Sequence, residues 1–228
     1  MASGTPSVGF LGSLSAEEQD AFVRRGRRRR YPGGTALFRE GEQSEGILVV
    51  LRGRVKVSFF TDEGREIVLS VRGPGDLLGE LSTIDGEPRS ATGTALGPVE
   101  ALLVGADDFA AILEEHPRVG VLLLKMLSRR LREATRRRIE YGAFDTLGRV
   151  ASRLVELADQ YGEDSPAGVR ILLPLTQVEL AGWVGASREA VSLALRTLRR
   201  QGCVETHRRG ITVLDREALR RQAAQHGE

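Results

Sequence analysis

The chain of 228 residues has one cysteine and three histidines. A lone thiol, Cys203, can form no internal disulfide and cannot anchor a cysteine-rich metal or iron–sulfur site. Residues 31–104 contain no histidine. That removes the usual ligands of a jelly-roll metalloenzyme of the cupin type, so neither an enzyme nor a bound metal is expected. No apolar run approaches the roughly 18 residues a membrane helix needs. The longest candidate, Val119–Leu124, stops at Lys125. Met1–Phe10 lacks a basic flank followed by a long apolar core, so no signal peptide is read, and a cytoplasmic protein is expected.

The chain is 41% hydrophobic, which argues against bulk disorder, and its length suits one or two domains. Its net charge of +2 is unevenly spread. Residues 31–116 hold seven Lys/Arg against fifteen Asp/Glu, a balance of −8, and residues 117–142 hold eight against two, a balance of +6. A basic segment leading into a basic module fits a polyanion partner.

Periodicity divides the chain. Residues 13–30 read as a helix opened by a capping box, Ser15 with Glu18, and Arg27–Arg30 as its solvated end rather than a nucleic-acid arm. From Tyr31 to Val104 the period drops to two. Residues 35–38, 46–51, 54–60, 66–71 and 95–103 read as short strands between glycine turns, a jelly roll or barrel. Asp107 opens a short helix and Pro117 a long one. Gly120, Leu124, Leu127, Leu131, Ala134 and Tyr141 follow alternating three- and four-residue steps along it, a coiled-coil seam with Arg138 at the remaining position. A parallel homodimer through this helix is expected, the alternative being packing on the chain's own β-domain. Gly142–Asp145 is a candidate hinge. A further helix with Leu147, Val150, Leu154, Leu157 and Ala158 on one face follows, then a loop over residues 161–168 and a short strand over 169–173.

Thr176 and Glu179 form a second capping box, with Gln177 at the first helical position. The helix they open stops at Gly185, and Ser187 caps another over Arg188–Arg200, a helix-turn-helix. Val191, Ala194, Leu195 and Leu198 share the inner face; Arg188, Glu189, Ser192 and Arg196 share the outer. An arginine can bond guanine with both arms and a glutamate can accept from cytosine, whereas later arginines suit phosphates. Residues 204–206 and 211–214, joined by a tip carrying Arg208, read as a hairpin wing. The whole is α+β.

Residues 75–92, "GDLLGELSTIDGEPRSAT", set one carboxylate, Glu80, and one guanidinium, Arg89, among glycines and small hydroxyls. On spacing alone an internal salt bridge and an anionic ligand are equally open. A β-roll, a long helix and a winged helix in this order, with this stretch and "VGASREAVSLAL", resemble the CRP/FNR family of transcription regulators. The resemblance covers residues 11–214. It implies a cyclic-nucleotide-binding jelly roll over 11–116, a dimerisation helix over 117–142 and a winged-helix DNA-binding domain over 143–228. It also implies a homodimer on palindromic double-stranded DNA, with cyclic AMP as effector and RNA polymerase as a partner. By the match, Glu80 accepts from the ribose 2′-hydroxyl, Arg89 pairs with the cyclic phosphate and Ser90 donates to it. Gly79, Leu81 and Ala91 belong to the same cassette, and Arg130 and Thr135 lie where the family reads the base. Ala134 departs from the paired polar residues of the cyclic-AMP-responsive members, which keeps cyclic GMP or a constitutive form open. Arg188 and Glu189 match base-reading positions, and Leu193 replaces a third, basic reader. The branches that hold iron–sulfur or haem do not match, because no histidine precedes His116.

Overall fold

Chain order in the computed structural model follows from where the apolar residues alternate and where they repeat every three or four. Residues 9–173, 176–207 and 210–225 are described. They divide into two compact units, one drawn from Met1–Thr61 and Val68–Leu131, the other from Asp62–Ile67 and Arg132–Glu228.

The first unit begins with a 3₁₀ turn, Leu11–Ser13, and α1, Ala16–Arg25. The predicted capping box is present: Glu18 N–H donates to Ser15 Oγ at 3.2 Å and Ser15 N–H to Glu18 Oε2 at 2.6 Å. Arg118 also bonds the Glu18 carboxylate. The helix ends five residues before the expected boundary. Arg27–Tyr31 is a strand, β1, and not a helix end. Gly26 takes an extended conformation, and a Cβ there would lie 2.3 Å from Leu102 Cγ, so the chain passes close over the sheet. Among the described residues β1 is an edge strand paired with β8, Val99–Val104, and Arg28 bonds Glu100 at 2.8 Å. Exposed charges on an edge discourage pairing with other chains.

Between these lie β2, Ala36–Phe38; β3, Ile47–Arg52; β4, Val55–Phe60; β5, Glu66–Arg72; β6, Leu77–Leu78; α2, Glu80–Asp85; and β7, Thr92–Ala95. They make two four-stranded sheets, ordered β1-β8-β3-β6 and β2-β7-β4-β5. The apolar run of β3 is buried on both faces, as a continuous run requires. Leu48 and Val50 meet Val55, Leu78, Ala95 and Ala101 on one side. Ile47 and Val49 meet Phe22, Phe109, Ile112, Val119 and Leu123 on the other. Phe109 and Ile112 come from α3, Ala106–Glu115, and Val119 and Leu123 from α4, Pro117–Ala143. The expected strand over 95–103 is two strands, because Gly97 and Pro98 interrupt the ladder.

Of the expected seam on α4, Leu124, Leu131, Ala134, Arg138 and Tyr141 are exposed, and Gly120 and Leu127 are half-buried. Leu127 packs against the core above, and Tyr141 donates its hydroxyl hydrogen to Trp183 O at 2.8 Å. Leu124 is 66% and Leu131 69% exposed, and the neighbouring Val121 and Ile139 are exposed as well.

In the second unit Asp145 caps α5, Thr146–Tyr161, by accepting from Gly148 N–H at 2.7 Å. β9, Gly162–Ser165, lies where a loop was expected; it is polar and held by β10, Gly168–Ile171. α6, Gln177–Val184, and α7, Arg188–Arg200, lead into β11, Val204–His207, β12, Gly210–Val213, and α8, Arg216–Gln225. The strands order β11-β12-β10-β9. Leu154, Leu157, Leu180, Leu195, Leu198 and Leu219 are buried.

Candidate functional site

Two sites emerge, one in each unit. In the first, the backbone turns between β6 and α2 at Gly79, with φ +76°. A Cβ there would lie 2.2 Å from Arg89 Nη1, so both the dihedral and the approach require glycine. The Arg89 guanidinium is clasped from three sides. Nη1 donates to Gly79 O at 2.7 Å and to Ser82 Oγ at 2.8 Å, and Nη2 donates to Gly46 O at 2.6 Å. The Phe38 ring covers it, with Cζ 4.9 Å from the ring centroid. Arg89 is 5% exposed, yet each of these acceptors is neutral. Burial pushes its pKa below the ordinary value, against the opposing pull of Glu80, Glu45 and Glu42. A guanidinium nevertheless stays cationic.

The internal salt bridge left open by spacing is not formed between Glu80 and Arg89. Glu80, itself buried, accepts from Arg130 Nη1 at 2.7 Å, and Arg130 Nη2 donates to Leu77 O at 2.7 Å. The structure thus brings Gly79, Glu80, Arg89 and Arg130 together. Leu81 and Ser90 are exposed beside them and Ala91 is buried. Thr135 and Ala134 are exposed on α4, in the second unit. Sequence reasoning missed Phe38, Ser82 and the Gly46 carbonyl. Ser82 sat inside the quoted stretch, where a hydroxyl buried to 5% exposure has no distinguishing spacing.

The second site is the outer face of α7. Thr176 and Glu179 form their capping box, and Gly185 takes the left-handed conformation (φ +61°) between the helices. Ser187 accepts from Ala190 N–H at 3.1 Å and fixes the start of α7. Arg188, Glu189, Leu193 and Arg196 are exposed, Ser192 half-buried, with Arg196 donating to Ser192 Oγ at 3.4 Å. Thr176 and Gln177 are exposed at the start of α6. Leu193, Arg196, Arg199 and Arg200 line a shallow groove on α7. Arg199 donates to Thr206 Oγ1 on β11 at 3.1 Å, so the wing braces the end of the helix. Arg208 lies outside the described residues. The outer face therefore offers bidentate donors, one carboxylate acceptor and one apolar side chain, the set that reads base edges in a major groove.

Residues 28–116 match the model of a cyclic nucleotide-binding domain, and residues 148–222 match that of a Crp-like helix-turn-helix domain. The chain is 34% identical over 193 residues to the "CRP-like cAMP-activated global transcriptional regulator" of Mycobacterium tuberculosis, covering 85% of this chain and 86% of that one. It is also 34% identical over 191 residues to the "Cyclic AMP receptor protein" of Thermus thermophilus, covering 84% and 85%. Among solved structures, the c-di-GMP responsive global regulator CLP of Xanthomonas campestris superposes with a TM-score of 0.80 at 25% identity, over 88% of this chain and 100% of that one.

Removing Arg130 would leave the buried Glu80 carboxylate without its cation. We expect Arg130→Ala to destabilise the first unit by about 3–5 kcal/mol in urea unfolding followed by circular dichroism. The double variant Arg130→Ala with Glu80→Gln should recover most of that loss.

Proposed function

The chain belongs to the CRP/FNR family, a DNA-binding transcription regulator with a cyclic-nucleotide-binding domain, and on that premise we propose that cyclic AMP gates a homodimer of it on palindromic DNA. The observation that carries the ligand reading is the charge state of Arg89. A cation buried among neutral acceptors is short of one negative charge, and desolvation makes that shortage costly. A cyclic phosphate supplies one delocalised negative charge that suits a guanidinium fork. Gly79, Leu81, Ser90 and Ala91 complete the cassette, with Glu80 for the ribose. Arg130 and Thr135 are assigned to the base.

Cyclic AMP is preferred because relatives at 34% identity bear its name. Ala134 removes one polar group from the base-reading pair, so selectivity over cyclic GMP rests on Thr135. The exposed Leu124 and Leu131 support a dimer through α4, since an apolar stripe on a basic helix is stabilised by a second copy. In such a dimer the two α7 helices enter successive major grooves about 34–36 Å apart, the repeat that helix-turn-helix dimers span on DNA. An effector shifts this arrangement only by its preference for the binding-competent state. No catalytic role is assigned, and we infer a cytoplasmic location with RNA polymerase as partner, a reading that family membership supports.

Calorimetry on the purified chain tests the ligand: cyclic AMP should bind, cyclic GMP more weakly, and Arg89→Ala should weaken binding of both. Unchanged affinity in Arg89→Ala would remove that residue from the site. Light scattering should report a dimer for the parent and a monomer for Leu124→Arg combined with Leu131→Arg. A binding-site selection should show Arg188→Ala losing preference at one base pair per half-site, at a cost of about 1–3 kcal/mol.

A further inference from the structure

A second group of cations in the second unit has unmet hydrogen-bonding capacity. The last turns of α4, the middle of α5 and the end of α6 enclose a cavity of about 10 Å³, counted as the space open to the centre of a water molecule. That is room for one small occupant. Arg137, Glu140, Tyr141, Arg149, Arg153 and Trp183 line it. Arg153 is 6% exposed and Trp183 3% exposed. Arg149 Nε, Arg153 Nε and Trp183 Nε1 are buried with no acceptor among the described residues. A buried donor left without a partner is costly, so its place is usually taken by a water or an ion.

Chemistry selects between those two. The unmet groups are all donors, and neither a guanidinium nor an indole N–H can accept. A water could satisfy two of them and would bring two hydrogens of its own. Glu140 Oε1 already accepts from Arg136 at 3.0 Å and from Ser152 at 3.1 Å. Charge points the same way. Arg136 and Arg137 pair with Glu140 and Glu133, and Arg153 pairs with Glu156. Arg149 makes no ion pair among the described residues: it donates to Thr146 Oγ1 at 3.3 Å and lies over the Tyr141 ring. Three guanidinium groups, Arg137, Arg149 and Arg153, line the cavity with one carboxylate, Glu140. With Arg136, Glu133 and Glu156 just outside it counted, the balance is one positive charge. Arg153 is pushed below its ordinary pKa by burial and, less strongly, by Arg137, while Glu156, Tyr141 and Glu140 oppose this.

We propose that this cavity binds one monatomic anion of the halide class, held by Arg149, Arg153 and Trp183. The anion joins the end of α4 to α6, because Tyr141 on α4 already donates to Trp183 O at 2.8 Å on the same wall. It is separate from the Arg89 cluster, which lies in the other unit.

Trp183 is the only tryptophan of the chain, so its emission reports this site alone. The full-length protein is titrated with sodium chloride replacing sodium gluconate at fixed ionic strength. Chloride should raise the unfolding midpoint followed by Trp183 emission, and the rise should saturate. Bromide should quench that emission towards a plateau rather than in linear proportion. Arg149→Gln should abolish both responses. Arg149→Lys, which keeps the charge and loses the fork, should weaken the apparent chloride affinity about tenfold and covers the case in which Arg149→Gln fails to fold. Equal midpoints in chloride and gluconate, a water-filled cavity's behaviour, would overturn the proposal. So would a chloride response in either Arg149 variant equal to that of the parent.

Discussion

The β-roll site depends on one constraint: a guanidinium held out of water with no carboxylate bonded to it. Glu80 would be the natural partner, and it is committed to Arg130. Arg89 is instead satisfied by two carbonyls and a hydroxyl, under the Phe38 ring. Hydrogen bonds from a charged group contribute about 1.5–3 kcal/mol each, enough to hold the side chain in place. They do not cancel its charge. Both carbonyls come from residues with positive φ, Gly46 at +131° and Gly79 at +76°. The backbone on either side of the guanidinium is thus shaped by residues that tolerate what a side chain would forbid. A Cβ at Gly46 would lie 2.1 Å from Val104 O, and one at Gly79 would meet Arg89 itself.

Much of this could be read in advance, and what could not has identifiable causes. Capping boxes are local and self-contained, so Ser15 with Glu18 and Thr176 with Glu179 were legible from four residues each. The helix-turn-helix was legible for the same reason: Gly185 and Ser187 mark its turn unaided. β1 was not legible, because four consecutive arginines carry no period-two signal; their strand is imposed by pairing with β8. β9 failed likewise, being polar and defined by backbone bonds to β10. The α4 seam was legible in period, and Leu124, Leu131 and Ala134 on it are exposed, but Leu127 is not. Spacing says that residues three and four apart share a face. It does not say which face the β-roll claims first, and Leu127 is claimed by the core.

The candidate site divides along the same line. Glu80 and Arg89 stood out because a carboxylate and a guanidinium are rare among small residues. Gly79 and Ser82 bond Arg89 from within about ten residues, but Arg130 and the Gly46 carbonyl lie about fifty and about forty residues away from Glu80 and Arg89. Long-range pairing carries no local signature, and a backbone carbonyl carries none at all.

Arg89 and Arg149 pose the same electrostatic problem with different consequences. An anion reaching Arg89 meets a guanidinium already held by the Gly46 and Gly79 carbonyls, so its binding free energy is tied to the positions of those residues. That is what an effector site requires, since a ligand shifts an equilibrium only by interacting differently with its two states. Near Arg149 the unmet donors have no acceptor to surrender. An anion there adds bonds without displacing any, which stabilises one arrangement of α4, α5 and α6 and discriminates against none. The first geometry suits a signal, and the second suits a fixed joint.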